Sequence, residues 1–290
     1  MRVHAVFEGG GVRGVALAGA AAAALDLGFE FDAVAGTSAG ALVASLVAAG
    51  YGPEELAGSV CAVDWPSLLR PVPGARIPFL GRHLALVTRR GVYDSRRLEE
   101  VWGDLLARRG LHTFGDLPKG ALRIVTTDLS HSRGVLLPRD LDRYGIPWET
   151  FPVARAVRMS AAVPFLFTPV TLVDTRTGDR VVFADGAMAA NYPVGVVPRD
   201  RPIVGFRLLP DHDGHEHQPV TGPFTLARAV VLAGIRARYA LPRPVDVGAT
   251  VVQVPVKEDL DFDMSGDEAR AAFDRAREAA RLQLASFAAT

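Results

Sequence analysis

RVHAVFEGGGVRGVALAGAAAAALDLGFEFDAVAGTSAGALVASLVAAG, residues 2–50, decides the fold class. Arg2–Phe7 alternates and then runs apolar, which predicts a first strand, and Glu8-Gly9-Gly10-Gly11 breaks it. Arg13–Leu27 reads as an Ala-rich helix stopped by Gly28. Phe31–Ala35 is a short apolar strand, Gly36-Thr37-Ser38-Ala39-Gly40 a sharp turn, and Ala41–Ala49 an apolar helix stopped by Gly50. Strand, helix, strand, helix in succession predicts an α/β fold with a mainly parallel sheet.

Working outward, Leu122–Thr127, Val135–Leu137, Ile203–Leu208 and Thr250–Val256 read as strands. Phe151–Met159, Phe224–Tyr239 and Gly266–Phe287 read as helices, and Phe167–Val173 with Arg180–Ala184 as a hairpin joined by Asp174–Asp179. Pro66, Pro71, Pro73 and Pro78 interrupt Trp65–Leu86, which reads as a surface insertion. No internal repeat or low-complexity tail divides the chain, so one domain over 1–290 is the expectation.

Hydrophobic residues make up 49% of the 290, enough to bury a core. Lys+Arg and Asp+Glu both number 32, which gives no overall pull toward nucleic acid or acidic membranes. Cys61 is the one cysteine, so no disulfide can form within the chain, and nothing points to an oxidising compartment. Met1–Phe7 reads directly as strand rather than as a basic leader, and Val15–Leu27 and Ala39–Ala49 are shorter than the roughly 20 apolar residues that span a bilayer. The expectation is a cytoplasmic protein. Heavy use of Ala, Arg, Gly and Pro suggests a GC-rich bacterial gene. Nothing in the composition sets an oligomeric state.

Gly9, Gly11 and Gly14 form G-x-G-x-x-G between a strand and a helix, the setting of a dinucleotide fingerprint. Asp32 follows Gly14 by 18 residues, which fits the spacing of a ribose-binding carboxylate. It stands, however, at the start of the second strand, and ribose binding needs the carboxylate at that strand's other end. The same glycines serve an acyl-transfer enzyme equally well. Backbone N–H groups at a glycine turn and a helix N-terminus point at negative charge, as an oxyanion hole requires. A plain tight turn would also use them.

Gly36-Thr37-Ser38-Ala39-Gly40 is G-x-S-x-G between a strand and a helix, the context of a nucleophile elbow with Ser38 exposed on the turn. The bland alternative is a serine helix cap. A nucleophilic serine needs a base. His131, His212, His215 and His217 follow Ser38, but the last three crowd the polar run Asp211–His217, which reads as a solvated loop rather than a metal site. A Ser-His α/β-hydrolase would also place more strands before its elbow. Asp185 is the other candidate, delivered by the apolar strand Val181–Phe183 to a Gly-containing turn. Its ordinary pKa of about 3.9 makes it a weak base in water, but in a dry pocket it can still orient and deprotonate a hydroxyl.

Glu8-Gly9-Gly10-Gly11-Val12-Arg13-Gly14, Gly36-Thr37-Ser38-Ala39-Gly40 and Asp185-Gly186-Ala187 together resemble the three motifs of the patatin-like phospholipase family in their usual order. Met159-Ser160-Ala161-Ala162-Val163-Pro164-Phe165 and Asn191-Tyr192-Pro193 resemble two further family segments, so the likeness runs from Val3 to Val197. Glu8 departs from the Asp common at that position.

The resemblance implies a three-layer α/β/α fold and a serine lipid acyl hydrolase working through a Ser38–Asp185 dyad, with no metal or cofactor. It implies an oxyanion hole from Gly10 and Gly11, with Gly9 and Arg13 in support. Arg13, with its planar fork, also suits a substrate phosphate. The implied substrates are phospholipids or other lipid esters, not nucleic acid. A nonspecific carboxylesterase or thioesterase on the same site is the alternative. Trp65, Leu68, Leu69, Phe79, Leu80 and Leu84 mixed with Arg70, Arg76 and Arg82 would suit peripheral membrane contact or a lid, and equally a packed excursion.

Overall fold

Strand β1 (Arg2–Phe7) buries every residue after Arg2, as a strand covered on both faces must. A 3-10 turn, Gly11–Arg13, leads into α1 (Gly14–Asp26), followed by β2 (Glu30–Thr37) and α2 (Ala39–Ala48). This is the expected strand–helix–strand–helix opening. The chain continues through α3 (Pro53–Cys61), β3 (Gly91–Tyr93), α4 (Arg96–Ala107), β4 (Leu122–Asp128), β5 (Arg133–Leu137), α5 (Val153–Ala161), β6 (Phe165–Phe167), β7 (Val170–Val173), β8 (Arg180–Asp185), β9 (Ile203–Pro210), β10 (Ala249–Val256) and α6 (Gly266–Ala288). The computed structural model describes residues 1–75, 85–86, 88–210, 219–222, 225–227, 229–231, 233–234, 248–256 and 261–288. The run Asp211–His217 lies outside them, as does much of Phe224–Tyr239, of which 225–227, 229–231 and 233–234 are helical.

The expected strand Phe167–Val173 is two strands. Phe165–Phe167 pairs with β3, and Val170–Val173 pairs with β8. Pro169 between them has no N–H to give a ladder, and Thr168 N–H turns to Tyr93 O at 2.8 Å.

Among the described residues the main sheet has eight strands, in the order β10-β9-β1-β2-β4-β8-β7, with β5 also on β4. Strands β10, β9, β1, β2 and β4 run parallel; β5, β7 and β8 are antiparallel to their partners. Strand β4 has three partners. β5 takes residues Ile124–Asp128, overlapping the β4 residues claimed by both β2 and β8, so it must occupy one edge alone. β2 and β8 therefore share the other edge, end to end, and because they run in opposite directions their C-terminal ends meet.

The sheet alternates its side chains between two cores. Val3, Ala5 and Phe7 face the large core with helices α1, α2, α5 and α6, while Val6 and Ala35 join Tyr192, Val194, Val197 and Ile203 on the other side. Mixed α/β architecture with a central, mostly parallel sheet flanked by helices is thus as expected. Helix α6 packs on α1 at backbone distance, since a Cβ on Gly19 would lie 2.2 Å from Phe273 O. Arg277 ties this pair to α3, donating to Asp26 at 2.7 Å and reaching Glu54 at 2.8 Å. In the expected insertion, Trp65 and Leu68 are buried, with the Trp65 ring 6.2 Å from Trp102. These two side chains belong to the core. Arg76, Phe79, Leu80, Arg82 and Leu84 lie outside the described residues.

Candidate active site

Ser38 leaves β2 at φ 52 and ψ −121, a region nearly reserved for glycine, and such a residue costs about 1–3 kcal/mol unless its surroundings hold it. Both flanking glycines are forced by close approach. A Cβ on Gly36 would lie 2.2 Å from Gly40 O, and one on Gly40 would lie 2.2 Å from Phe7 O. The turn is therefore pressed between its own helix and the end of β1. The Ser38 carbonyl accepts from Ala41 N–H at 2.9 Å and Leu42 N–H at 3.2 Å, starting α2.

Asp185 ends β8 where that strand meets the end of β2. Ser38 Oγ donates to Asp185 Oδ2 at 2.7 Å, and Ala187 N–H donates to Oδ1 at 2.7 Å. Ser38 is 5% exposed and Asp185 1%. Burial pushes the Asp185 carboxyl up to about 6, opposed by the Ser38 hydroxyl and the Ala187 amide. The group is thus a stronger base than an exposed aspartate and is still mostly ionised at neutral pH. Its backbone is fixed by three more bonds: Asp185 N–H to Ala162 O at 2.9 Å, Gly186 N–H to Ser160 O at 3.0 Å, and Thr127 Oγ1 to Asp185 O at 2.8 Å.

The glycine loop comes to the same place from the end of β1. Gly9 N–H donates to Asn191 O at 2.9 Å, while Asn191 Nδ2 donates back to Gly9 O at 3.0 Å. Glu8 is buried and anchors the loop to β9, its Oε2 accepting from Leu208 N–H at 2.7 Å. The glutamate that departs from the family pattern thus has a definite partner. Beyond Gly9 the loop opens outward: Gly10 is half-buried, Gly11 is exposed at φ 63, and Arg13 is half-buried ahead of α1. Thr37 Oγ1 donates to Ala190 O at 2.8 Å, so the segment before Asn191 also holds the strand that delivers Ser38.

Two of the other sequence candidates, His131 and Asp32, are engaged elsewhere. His131 Nδ1 shares a 2.8 Å hydrogen bond with Asp128 Oδ2, which also accepts from Tyr144 OH at 2.8 Å. His212, His215 and His217 lie outside the described residues. Asp32 accepts from Arg2 Nε at 2.8 Å and pairs with Arg201, in the first half of β2 and away from the glycine loop. The sequence did not single out the clamp by Asn191 or the contacts of Ser160. Both residues stood in recognisable motifs, but their partners lie far along the chain.

A family model for patatin-like phospholipase matches residues 5–198. The chain belongs to this family. It is accordingly a lipid acyl hydrolase. A protein of Bacillus subtilis (strain 168) described as uncharacterized, YqhO, is 39% identical over 236 residues, 79% of each chain. Among solved structures, VipD from Legionella pneumophila is similar with a TM-score of 0.55 and 16% identity, over 98% of this chain and 67% of that one, a likeness of fold. ExoU of Pseudomonas aeruginosa is 19% identical with a TM-score of 0.49, over 98% of this chain and 52% of that one. Patatin-like membership accounts for the order of the motifs: the glycine loop after β1, the serine turn after β2 and the Asp-Gly turn after β8.

Proposed function

We propose that this patatin-like protein hydrolyses lipid carboxylic esters, phospholipids included, through a Ser38–Asp185 dyad. The observation that carries this reading is the 2.7 Å bond from Ser38 Oγ to a buried carboxylate. Ser38 Oγ attacks the ester carbonyl and its proton passes to Asp185 Oδ2. The carbonyl oxygen becomes an oxyanion, which the N–H groups of Gly10 and Gly11 receive, with Gly9 and Arg13 supporting the loop. Asp185 then protonates the departing alcohol. A water attacks the acyl-Ser38 ester and gives its proton to Asp185; as the Ser38 Oγ–acyl bond breaks, Asp185 returns that proton to Ser38 Oγ, and the acid leaves. Gly11 supports the assignment of the oxyanion hole, since the space where its Cβ would stand is open and lets a substrate reach the backbone, whereas at Gly10 that space is filled by Leu208 and the glycine admits the packing of the loop on β9.

Arg13 is the residue we assign to a substrate phosphate. Arg13→Lys is expected to slow phospholipid hydrolysis while sparing short neutral esters, and equal rates on both would remove this role. Peripheral contact with a lipid surface is part of the proposal. The mixed basic and apolar composition of Trp65–Val87 beyond the buried Trp65 and Leu68 supports it, and so does the need to reach a lipid substrate. No helix among the described residues is long and apolar enough to cross a membrane. A cytoplasmic setting is supported by the single cysteine. The packing of α6 on α1 supports reading 1–290 as one domain.

The test is hydrolysis of p-nitrophenyl esters and phosphatidylcholine vesicles by wild type, Ser38→Ala and Asp185→Asn. Loss of both activities in the two folded variants is expected. Activity surviving Asp185→Asn but lost on replacing His131 would replace the dyad with a Ser-His pair. A preference for short acyl chains and no attack on vesicles would favour a general esterase or thioesterase.

A further inference from the structure

The hydrogen-bond ladder between β2 and β4 stops one rung early. Val34 N–H donates to Ala121 O at 2.7 Å. In a parallel pair such rungs recur every second residue. The series therefore falls next at Gly36 and then at Ser38, whose N–H would meet Val125 O, given Thr37 opposite Val125. That rung is replaced. Ser38 N–H donates instead to Ser160 Oγ at 2.8 Å, and Ser160 Oγ donates to Val125 O at 2.6 Å. A side-chain hydroxyl from the end of α5 is inserted between two strands, in a site with no exposure to solvent.

The insertion lies where the shared edge of β4 changes partner. Thr37 is the last residue of β2 opposite β4, and Asp185 stands opposite the following residue, Thr126. A direct rung at Ser38 would draw the turn onto β4, the width of a hydroxyl closer. Ser160 also accepts Gly186 N–H on its carbonyl at 3.0 Å, so one residue fixes the backbone beside the nucleophile and beside the base. We propose that Ser160 is a positioning residue for acyl transfer: its hydroxyl holds the serine turn off β4 so that Ser38 Oγ meets Asp185. This rests on the dyad reading above.

Ser160→Ala removes the bridge. Ser38 N–H and Val125 C=O must then either bond directly, shifting Ser38, or stay buried without partners. A misplacement of about 1 Å costs on the order of 10²-fold in rate. The experiment measures kcat and KM on p-nitrophenyl butyrate, with thermal melts, for Ser160→Ala, Ser160→Thr and Leu284→Ala beside Ser38→Ala and Asp185→Asn. Leu284 is a buried residue of α6 and serves as a control for lost stability. Ser160→Ala is expected to lose about 10²-fold in kcat with KM nearly unchanged. Ser160→Thr, which keeps the hydroxyl, recovers most of it, and Leu284→Ala keeps wild-type kcat. Three results overturn the inference while leaving the dyad standing, provided Ser38→Ala and Asp185→Asn are inactive. These are wild-type kcat in Ser160→Ala, no recovery in folded Ser160→Thr, or an equal kcat loss in Leu284→Ala. Activity persisting in Ser38→Ala overturns the dyad, and the role of Ser160 with it.

Discussion

Thr37 and Asp185 occupy consecutive positions along one edge of β4, Thr37 opposite Val125 and Asp185 opposite Thr126. Strand β2 arrives parallel to β4 and β8 antiparallel, so the two C-terminal ends abut. Ser38 is the first residue past one end, and Asp185 is the last of the other. The 2.7 Å contact between their side chains is therefore a property of the sheet before it is a property of rotamers.

That junction has no room for a side chain at Gly186. A Cβ there would lie 2.1 Å from Val125 O, and backbone cannot swing aside as a side chain can. Gly186→Ala is expected to cost about 1–3 kcal/mol of stability and on the order of 10²-fold in kcat. Denaturant melts and ester hydrolysis check the two effects. A variant with normal stability and rate would show that the junction is looser than described.

The pH dependence has a defined sign. In the proposed dyad Asp185 must be ionised to take the Ser38 proton, and burial pushes its carboxyl up to about 6. The ratio kcat/KM should fall as pH drops through about 6, and a pH–rate profile from 4.5 to 9 checks this. Stability runs the other way. The folded carboxyl holds its proton up to about 6 against an ordinary 3.8, so its stabilising contribution is complete below 3.8 and lost as pH rises through 6. Asp185→Asn should therefore gain stability over wild type, on the order of 3 kcal/mol at pH 8 and close to none near pH 4. Melts at the two pH values measure the gap; a constant gap would contradict the account.

Asn191 should matter to rate more than to binding. Its side chain and carbonyl grip Gly9 from both sides, at 3.0 and 2.9 Å. Asn191→Ala frees the loop whose Gly10 and Gly11 amides are proposed to receive the oxyanion. A fall in kcat of about 10–10²-fold is expected, with KM within about two-fold, since lost oxyanion donors act on the transition state. A change confined to KM would argue that the clamp shapes the substrate groove instead.

Gly19 offers a control far from the chemistry. A Cβ there would press on Phe273 O at 2.2 Å and force α6 away from α1. Gly19→Ala should lower the melting temperature through a loss of about 1–3 kcal/mol, while kcat per folded molecule stays at the wild-type value. A matching loss of kcat would mean that α6 reaches the site in a way the contacts do not indicate.

The parts of the site that were legible in the sequence are those that steric limits impose locally. Gly36 and Gly40 had to be glycines because the turn presses on its own helix and on β1, and that need leaves the G-x-S-x-G spacing behind. Asp185 was legible from the apolar strand that carries it to a turn. The bonds of Ser160 and Asn191 were not, because each depends on two strands or loops meeting in space, and spacing along the chain says nothing of that. The same holds for Trp65 and Leu68, whose apolar character suited a membrane as well as a core until Trp102 was found beside them. Helix α3 escaped because Gly58 interrupts its short apolar pattern of Leu56, Ala57 and Val60. Pro169 was the readable signal that the predicted strand Phe167–Val173 is two.

Whether Asp185 activates the Ser38 hydroxyl is tested most directly by the rate of covalent labelling by a fluorophosphonate, followed by intact mass and located by peptide mapping. A single adduct on Ser38 is expected, forming with a pH dependence that falls away below about 6 and slowed by at least about 10²-fold in folded Asp185→Asn. An adduct on another residue, or Asp185→Asn labelling as fast as wild type, would contradict that activation.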